Sequence, residues 1–308
     1  MRRLFLLLLI SVVSTAAPEP GAQDSGQAAR FKTRVAAVRV DALVTNGRRP
    51  VAGLTAANFE LRDNGVVQAI TDVHHETLPL NILCVLDLSG SVAGEPLAHL
   101  KQGVRSVIAA LAGKDRAALL TFANRIELHA ALTADRARLR ALVDGVETGG
   151  TTALFDAVFA ALALRETDEG RTLLLLFSDG RDTSSWLTAR KLIDSARRTD
   201  VVIYAVTIRT VMPLVTVEGK AVIRRRPRPE PSERLLEALA EDTGGRVDFA
   251  SDEAAVEATF LEVLREFRQR YVLSYEPTRV SDDGWHTIEV KLRGKPGEVR
   301  ARRGYFAR

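Results

Sequence analysis

The sequence predicts an α/β protein: a doubly wound, mostly parallel sheet flanked by helices, joined to a small discontinuous β domain built from both ends of the chain. Three observations carry this expectation. Apolar runs at residues 82–86, 173–177 and 201–208 show no alternation, as strands buried on both faces do, although periodicity alone leaves a short buried helix open for such runs. Helical patterns alternate with these runs, which is the rhythm of a doubly wound sheet. The two ends instead read as short strands punctuated by Asn-Gly, Asp-Gly and Pro-Gly turns.

Taken in order, residues 1–16 have the form of a secretory signal peptide. Arg2 and Arg3 precede an apolar stretch at 4–13 and small residues ending at Ala16, with Ala22 as an alternative cleavage point. The stretch is too short to span a bilayer comfortably, and no cysteine follows it to take a lipid. An exported protein, periplasmic or extracellular, with no stable membrane anchor after cleavage is the expectation. Residues 17–30 read as a linker. Strand patterns around Val44, Phe59 and Val66, separated by Asn46-Gly47 and Asn64-Gly65, make residues 31–76 the first part of the β domain.

Residues 78–270 carry the alternating pattern. A strand at 117–122 and a short antiparallel neighbour at 126–130 precede a helix that Thr133 can cap, with Leu139, Leu142 and Val143 on its apolar face. Residues 186–198 are amphipathic. Residues 211–231 interrupt the rhythm with a hairpin around Glu218-Gly219-Lys220 and an Arg- and Pro-rich arm. Ser232 and Ser251 are expected to cap the last two helices. Three strands at 271–275, 286–292 and 299–303 then need a sheet to join. The first sheet strand begins, and the last helix ends, at the edge away from the β-to-α loops, so residues 271–306 are expected to complete the β domain.

The central run ends at Asp87-Leu88-Ser89-Gly90-Ser91, and Pro96 opens a helical pattern through Leu97, Leu100, Val104, Val107, Ile108 and Leu111, closed by Gly113. Three oxygen-bearing side chains therefore occupy a strand-to-helix loop at the carboxyl end of a central strand, where open α/β sheets bind ligands. This motif resembles the first part of the metal ion-dependent adhesion site of von Willebrand factor A-type domains, whose fold is Rossmann-like. Gly149-Gly150-Thr151-Thr152 and Phe177-Ser178-Asp179-Gly180 resemble its remaining pieces, a loop threonine and a second strand-end aspartate, in the family's order. The ends of the chain resemble the bacterial extracellular family described as VWFA-related, through Arg49-Pro50-Val51-Ala52-Gly53-Leu54-Thr55, Asn58-Phe59-Glu60-Leu61-Arg62-Asp63-Asn64-Gly65 and Arg302-Arg303-Gly304-Tyr305.

The resemblance implies a metal set of Asp87, Ser89, Ser91, Thr152 and Asp179, with the hydroxyls coordinating directly and the carboxylates directly or through water. Thr151 competes for the threonine role. Thr152 is preferred because Leu154, Ala157 and Val158 then fall on the helix face the family buries. The implied cofactor is Mg²⁺, or Mn²⁺ or Ca²⁺, each a hard cation suited to oxygen ligands. The implied activity is non-enzymatic: the cation grips an acidic group on a protein or peptide partner. An assembly component that docks constitutively, with the metal only stabilising loops, is the alternative; a metal-dependent hydrolase is the third reading.

Composition narrows the classes further. Of 308 residues, 46% are hydrophobic and 27% charged, ordinary for a globular protein. Loss of Arg2 and Arg3 with the leader takes the formal charge from +4 to +2, and no surface interleaves basic and aromatic residues, so no nucleic-acid partner is expected. Cys84 is the only cysteine, so no internal disulfide can form. Ser rather than Asp stands two residues after Asp87, against an aspartate-nucleophile phosphatase. There is no Gly-x-Ser-x-Gly elbow, and no Gly-Lys pair is followed by Ser or Thr. The five histidines lack zinc-ligand spacing.

Overall fold

The computed structural model describes residues 37–307 apart from 48, 76, 167–169, 209–214, 218–219, 223–230, 251, 253–254 and 282. The expected signal peptide, linker, basic arm and Ser251 cap lie outside the described residues. The chain runs β1 (Val38–Asn46), β2 (Arg49–Pro50), β3 (Phe59–Asp63), β4 (Val66–Gln68), β5 (Ile70–His75), β6 (Leu80–Asp87), α1 (Glu95–Ala109), β7 (Arg116–Phe122), β8 (Ile126–Thr133), α2 (Arg136–Asp144), α3 (Leu154–Ala163) and β9 (Arg171–Phe177). It continues through α4 (Ala189–Arg197), β10 (Val202–Ile208), β11 (Val215–Val217), β12 (Lys220–Val222), α5 (Pro231–Thr243), β13 (Arg246–Ala250), α6 (Ala255–Arg268), β14 (Tyr271–Tyr275), β15 (Gly284–Leu292), β16 (Glu298–Ala301) and β17 (Gly304–Ala307).

The apolar runs are strands. The main sheet has the order β13-β10-β9-β6-β7-β8, parallel except for the antiparallel edge pair β7–β8. Every residue of β6 and β9 is buried, which explains their lack of alternation: both sheet faces are covered. α1, α2 and α6 close one face through Leu100, Val104, Leu139, Phe260 and Phe267. α3, α4 and α5 close the other through Leu154, Val158, Leu192, Leu236 and Leu239.

The strands from the two chain ends form two further sheets, β16-β1-β14-β5 with β2 beside β1, and β17-β15-β3-β4. Their inward residues, among them Val40, Ala42, Phe59, Leu61, Leu273 and Ile288, make one core. Alternation is visible here because each sheet has a single buried face. The core also holds a polar knot. Asp63, fully buried, accepts hydrogen bonds from the hydroxyls of Tyr275 (2.7 Å) and Tyr305 (2.9 Å) and pairs with His286 Nδ1 at 2.8 Å. Burial, reinforced by the bond to Asp63, pushes the Tyr275 hydroxyl pKa well up.

The two parts meet at the edge where β6 begins and α6 ends. The Arg171 guanidinium, almost wholly buried, donates to the carbonyls of Phe267 (2.9 Å), Arg268 (3.2 Å) and Arg270 (3.0 Å) at and just past the C-terminus of α6. It also reaches Asp41 of β1 at 3.3 Å. Arg270 donates to the Asp41 and Arg300 carbonyls and to the Tyr204 hydroxyl. Gly244 (φ +83°) lets the backbone at Ala301–Arg302 pass, since a Cβ there would lie 2.6 Å from Arg302 N. On the outer side Arg197 stacks over Trp285 and Arg198 over Phe306.

Several local expectations need correction. β8 extends to Thr133, and Asp135 caps α2 by accepting from Arg138 N; the Thr133 hydroxyl accepts from Asp135 N instead. α4 begins at Ala189 under a Thr188 cap, because Ser184–Leu187 are occupied in loop hydrogen bonds. Ser232 lies inside α5, its hydroxyl donating to the Gly180 carbonyl. In the inserted hairpin Val217 pairs with Lys220, so Lys220 is a strand residue. A fourth C-terminal strand, β17, pairs with β15.

Candidate metal centre

The site is built at the carboxyl ends of β6 and β9, the two central strands. Asp87 is the last residue of β6 and is fully buried. Its Oδ1 accepts from Ser89 N (2.9 Å) and its Oδ2 from the Ser178 hydroxyl (2.8 Å), so the carboxylate is fixed from both sides. The Ser89 and Ser91 hydroxyls lie 3.1 Å apart, and Ser91 Oγ donates to Asp179 Oδ2 at 3.2 Å. Asp179 Oδ1 in turn accepts from Arg181 N at 3.0 Å. Four of the five expected residues thus belong to one hydrogen-bonded network.

Thr152 stands in the adjoining loop, which the backbone ties to both neighbours. Gly90 N donates to Gly150 O at 3.3 Å and Gly149 N to Leu88 O at 2.8 Å. On the other side Thr183 N (2.9 Å) and Ser184 N (3.1 Å) donate to Thr152 O. Thr152 is buried, and among the described residues its hydroxyl makes no hydrogen bond. Thr151 is exposed and its hydroxyl bonds Ser184 Oγ at 3.1 Å. Gly150 (φ +88°) is required here, because a Cβ would sit 2.6 Å from Asn124 Oδ1. Leu154, Ala157 and Val158 are all fully buried on α3.

Electrostatically, burial pushes the Asp87 carboxyl pKa up; the Ser89 and Ser178 hydrogen bonds oppose this, and the Asp179 charge adds to it. An unmatched buried carboxylate is costly and is relieved by a proton or a cation. The donors are all oxygen, two carboxylates and three hydroxyls, the chemistry hard divalent ions prefer. Among the described residues no group of three or more His, Cys, Asp or Glu gathers as a zinc-enzyme site would. The donor set therefore fits a hard cation.

Other residues of the rim hold the expected donors in place. Ser178, between the apolar run and Asp179, bonds Asp87 and accepts from Gly180 N at 3.1 Å. Asp182 caps α3, accepting from Leu154 N at 2.9 Å and from the Ser185 hydroxyl at 2.6 Å. Asp156 accepts from Trp186 N and Leu187 N at 2.9 and 2.8 Å. From the sequence Asp182 and Asp156 are expected as loop and cap residues, and both take that part; which helix Asp182 caps is set by contacts across the chain.

Comparison with known proteins shows likeness of sequence and of fold. The uncharacterized protein sll0103 of Synechocystis sp. is 28% identical over 152 residues, 47% of this chain and 35% of its own length. This chain thus spans about a third of that relative. A von Willebrand factor type A protein from Catenulispora acidiphila superposes with TM-score 0.51 at 11% identity, covering 86% of this chain and 75% of that one. Proximal thread matrix protein 1 of the mussel byssus, in a structure with a zinc-occupied MIDAS motif, gives TM-score 0.51 at 18% identity over 67% of this chain and 49% of its own. The profile of the von Willebrand factor type A domain matches residues 81–262, more than half of the sequence, and its ends fall on β6 and α6. The chain belongs to the von Willebrand factor type A domain family.

Proposed function

We propose that this protein binds a divalent cation through Asp87, Ser89, Ser91, Thr152 and Asp179 and uses it to hold an acidic group of a protein or peptide partner. The observation that carries the reading is the network joining Asp87, Ser89, Ser91 and Asp179, with the buried Thr152 hydroxyl in the adjoining loop. When bound, a divalent cation supplies an electrophile with a position open to a carboxylate oxygen. The chain's own residues prepare that position. Ser89 N and the Ser178 hydroxyl hold Asp87 in place, so the site is ordered before a ligand arrives. Three of the donors are neutral, which leaves positive charge for the partner to meet. In a partly dehydrated cleft that attraction is much stronger than in water.

Mg²⁺ and Mn²⁺ suit the donor set, Ca²⁺ less closely, and the zinc-occupied motif of the mussel protein adds Zn²⁺ to the ions to be tried. We read the activity as binding rather than turnover, and the protein as exported through the leader at residues 1–16. Among the described residues no helix is long and apolar enough to cross a membrane. One observation favours constitutive docking instead: direct Ser91–Asp179 and Ser178–Asp87 hydrogen bonds tie the loops to one another. Capture distinguishes the two. Immobilised wild type and Thr152→Ala are exposed to envelope extract with Mg²⁺ or with chelator. Cation-assisted binding predicts a partner retained only by wild type with Mg²⁺; equal retention in all four arms favours docking.

A further inference from the structure

Trp186 is 96% exposed, an unusual state for the largest apolar side chain. The loop that displays it is nevertheless fixed on both sides. Trp186 N and Leu187 N donate to the Asp156 carboxylate, and the Ser185 hydroxyl accepts from Phe155 N at 3.0 Å while donating to Asp182. Thr183 and Ser184, just upstream, are bonded to the Thr152 carbonyl. The backbone that carries the indole is therefore held between the Asp179 loop and the first turn of α3. An aromatic ring on a fixed backbone loses little entropy when it is covered.

The charges around it have a definite arrangement. Asp156 and Asp182 face inward onto backbone N–H groups. Arg181 in the same loop and Arg125 in the neighbouring β7–β8 turn are exposed and form no ion pair among the described residues. The rim thus offers free positive charge and one large aromatic surface beside the candidate metal centre. We infer that Trp186 is the second recognition element of this site and selects acidic protein segments that carry a large apolar residue close in sequence to the metal-bound carboxylate. This rests on the cation-assisted reading above. The carboxylate supplies the common anchor, and the apolar neighbour on the indole supplies the choice among acidic segments.

The test uses the full chain and a displayed peptide library with one fixed Asp or Glu among randomised positions, panned with Mg²⁺ and with chelator. Trp186→Ala removes only exposed surface, so it should keep the wild-type melting temperature and cation affinity. The inference predicts metal-dependent peptides enriched in Phe, Tyr, Trp or Leu near the fixed acid. Their affinity should fall about tenfold or more in Trp186→Ala and largely survive in Trp186→Phe. The exposed-tryptophan emission should also shift blue on binding, while Trp285, edge-to-face with Phe306 and under Arg197, stays constant. Metal-dependent peptides with no apolar preference, bound equally by Trp186→Ala, would overturn the inference and leave the cation reading standing. No metal-dependent enrichment at all would remove both. Metal-independent dimerisation lost in Trp186→Ala would assign the indole to a second copy and overturn the inference.

Discussion

At the scale of single residues, Asp87 concentrates the conflict that a binding site must store. Its carboxylate is fully buried, and burial raises its pKa despite the bonds from Ser89 and Ser178. Between the ordinary carboxylate pKa and the higher folded value, the native state holds more protons than the unfolded chain. Stability therefore falls as pH rises through that window and stays lowered above it. Asp87→Asn keeps the shape and removes the charge. Without cation the variant should melt above wild type at neutral pH, with the advantage shrinking as pH falls through the carboxylate range. With saturating Mg²⁺ only wild type should gain melting temperature. An equal Mg²⁺-induced gain in Asp87→Asn would exclude Asp87 from the centre.

Among the elements, the loops are positioned by bonds that touch no expected ligand. Asp182 accepts from the first N–H groups of α3 and so fixes the Asp179 loop against the loop of Thr152. Asp182→Ala should cost about 1 kcal/mol of stability, as loss of an N-cap does. It should also weaken Mg²⁺ affinity without removing a metal donor; calorimetry giving wild-type affinity would show that the two loops hold their places independently. The main sheet was legible because strands covered on both faces leave unbroken apolar runs, and its sequence order followed from alternation with helices. The motif residues were legible because each stands at the end of such a run or before a helix. What stayed hidden depends on contacts across the chain. The Thr133 and Ser232 hydroxyls are locally plausible caps, yet one accepts from Asp135 N and the other donates to Gly180 O. β17 is four residues behind a tight turn and is specified by its pairing with β15, through His286↔Tyr305 and Trp285↔Phe306.

For the whole molecule, we propose the division into residues 31–76 plus 271–306 as one β domain and 78–270 as the A-type domain. Pairings spanning the chain support it: β1 with β14 and β16, and β3 with β15. The Asp63 knot draws its partners from β14, β15 and β17, all of which follow the main sheet in sequence. Truncation after Pro277 removes β15, β16 and β17 together with His286 and Tyr305. It should leave Asp63 short of two partners and β1 and β3 with open edges, which template aggregation. Light scattering showing a stable monomer, with unchanged hydrogen exchange in β1 and β3, would contradict the division. Whether the five oxygen donors form one cation site is decided by calorimetric titration of Mg²⁺ and Mn²⁺ into the full chain and its Asp179→Ala variant. Wild type should bind saturably at one site and Asp179→Ala should lose that binding, with unchanged circular dichroism. Identical isotherms for the two proteins, or no binding by wild type, would contradict such a site.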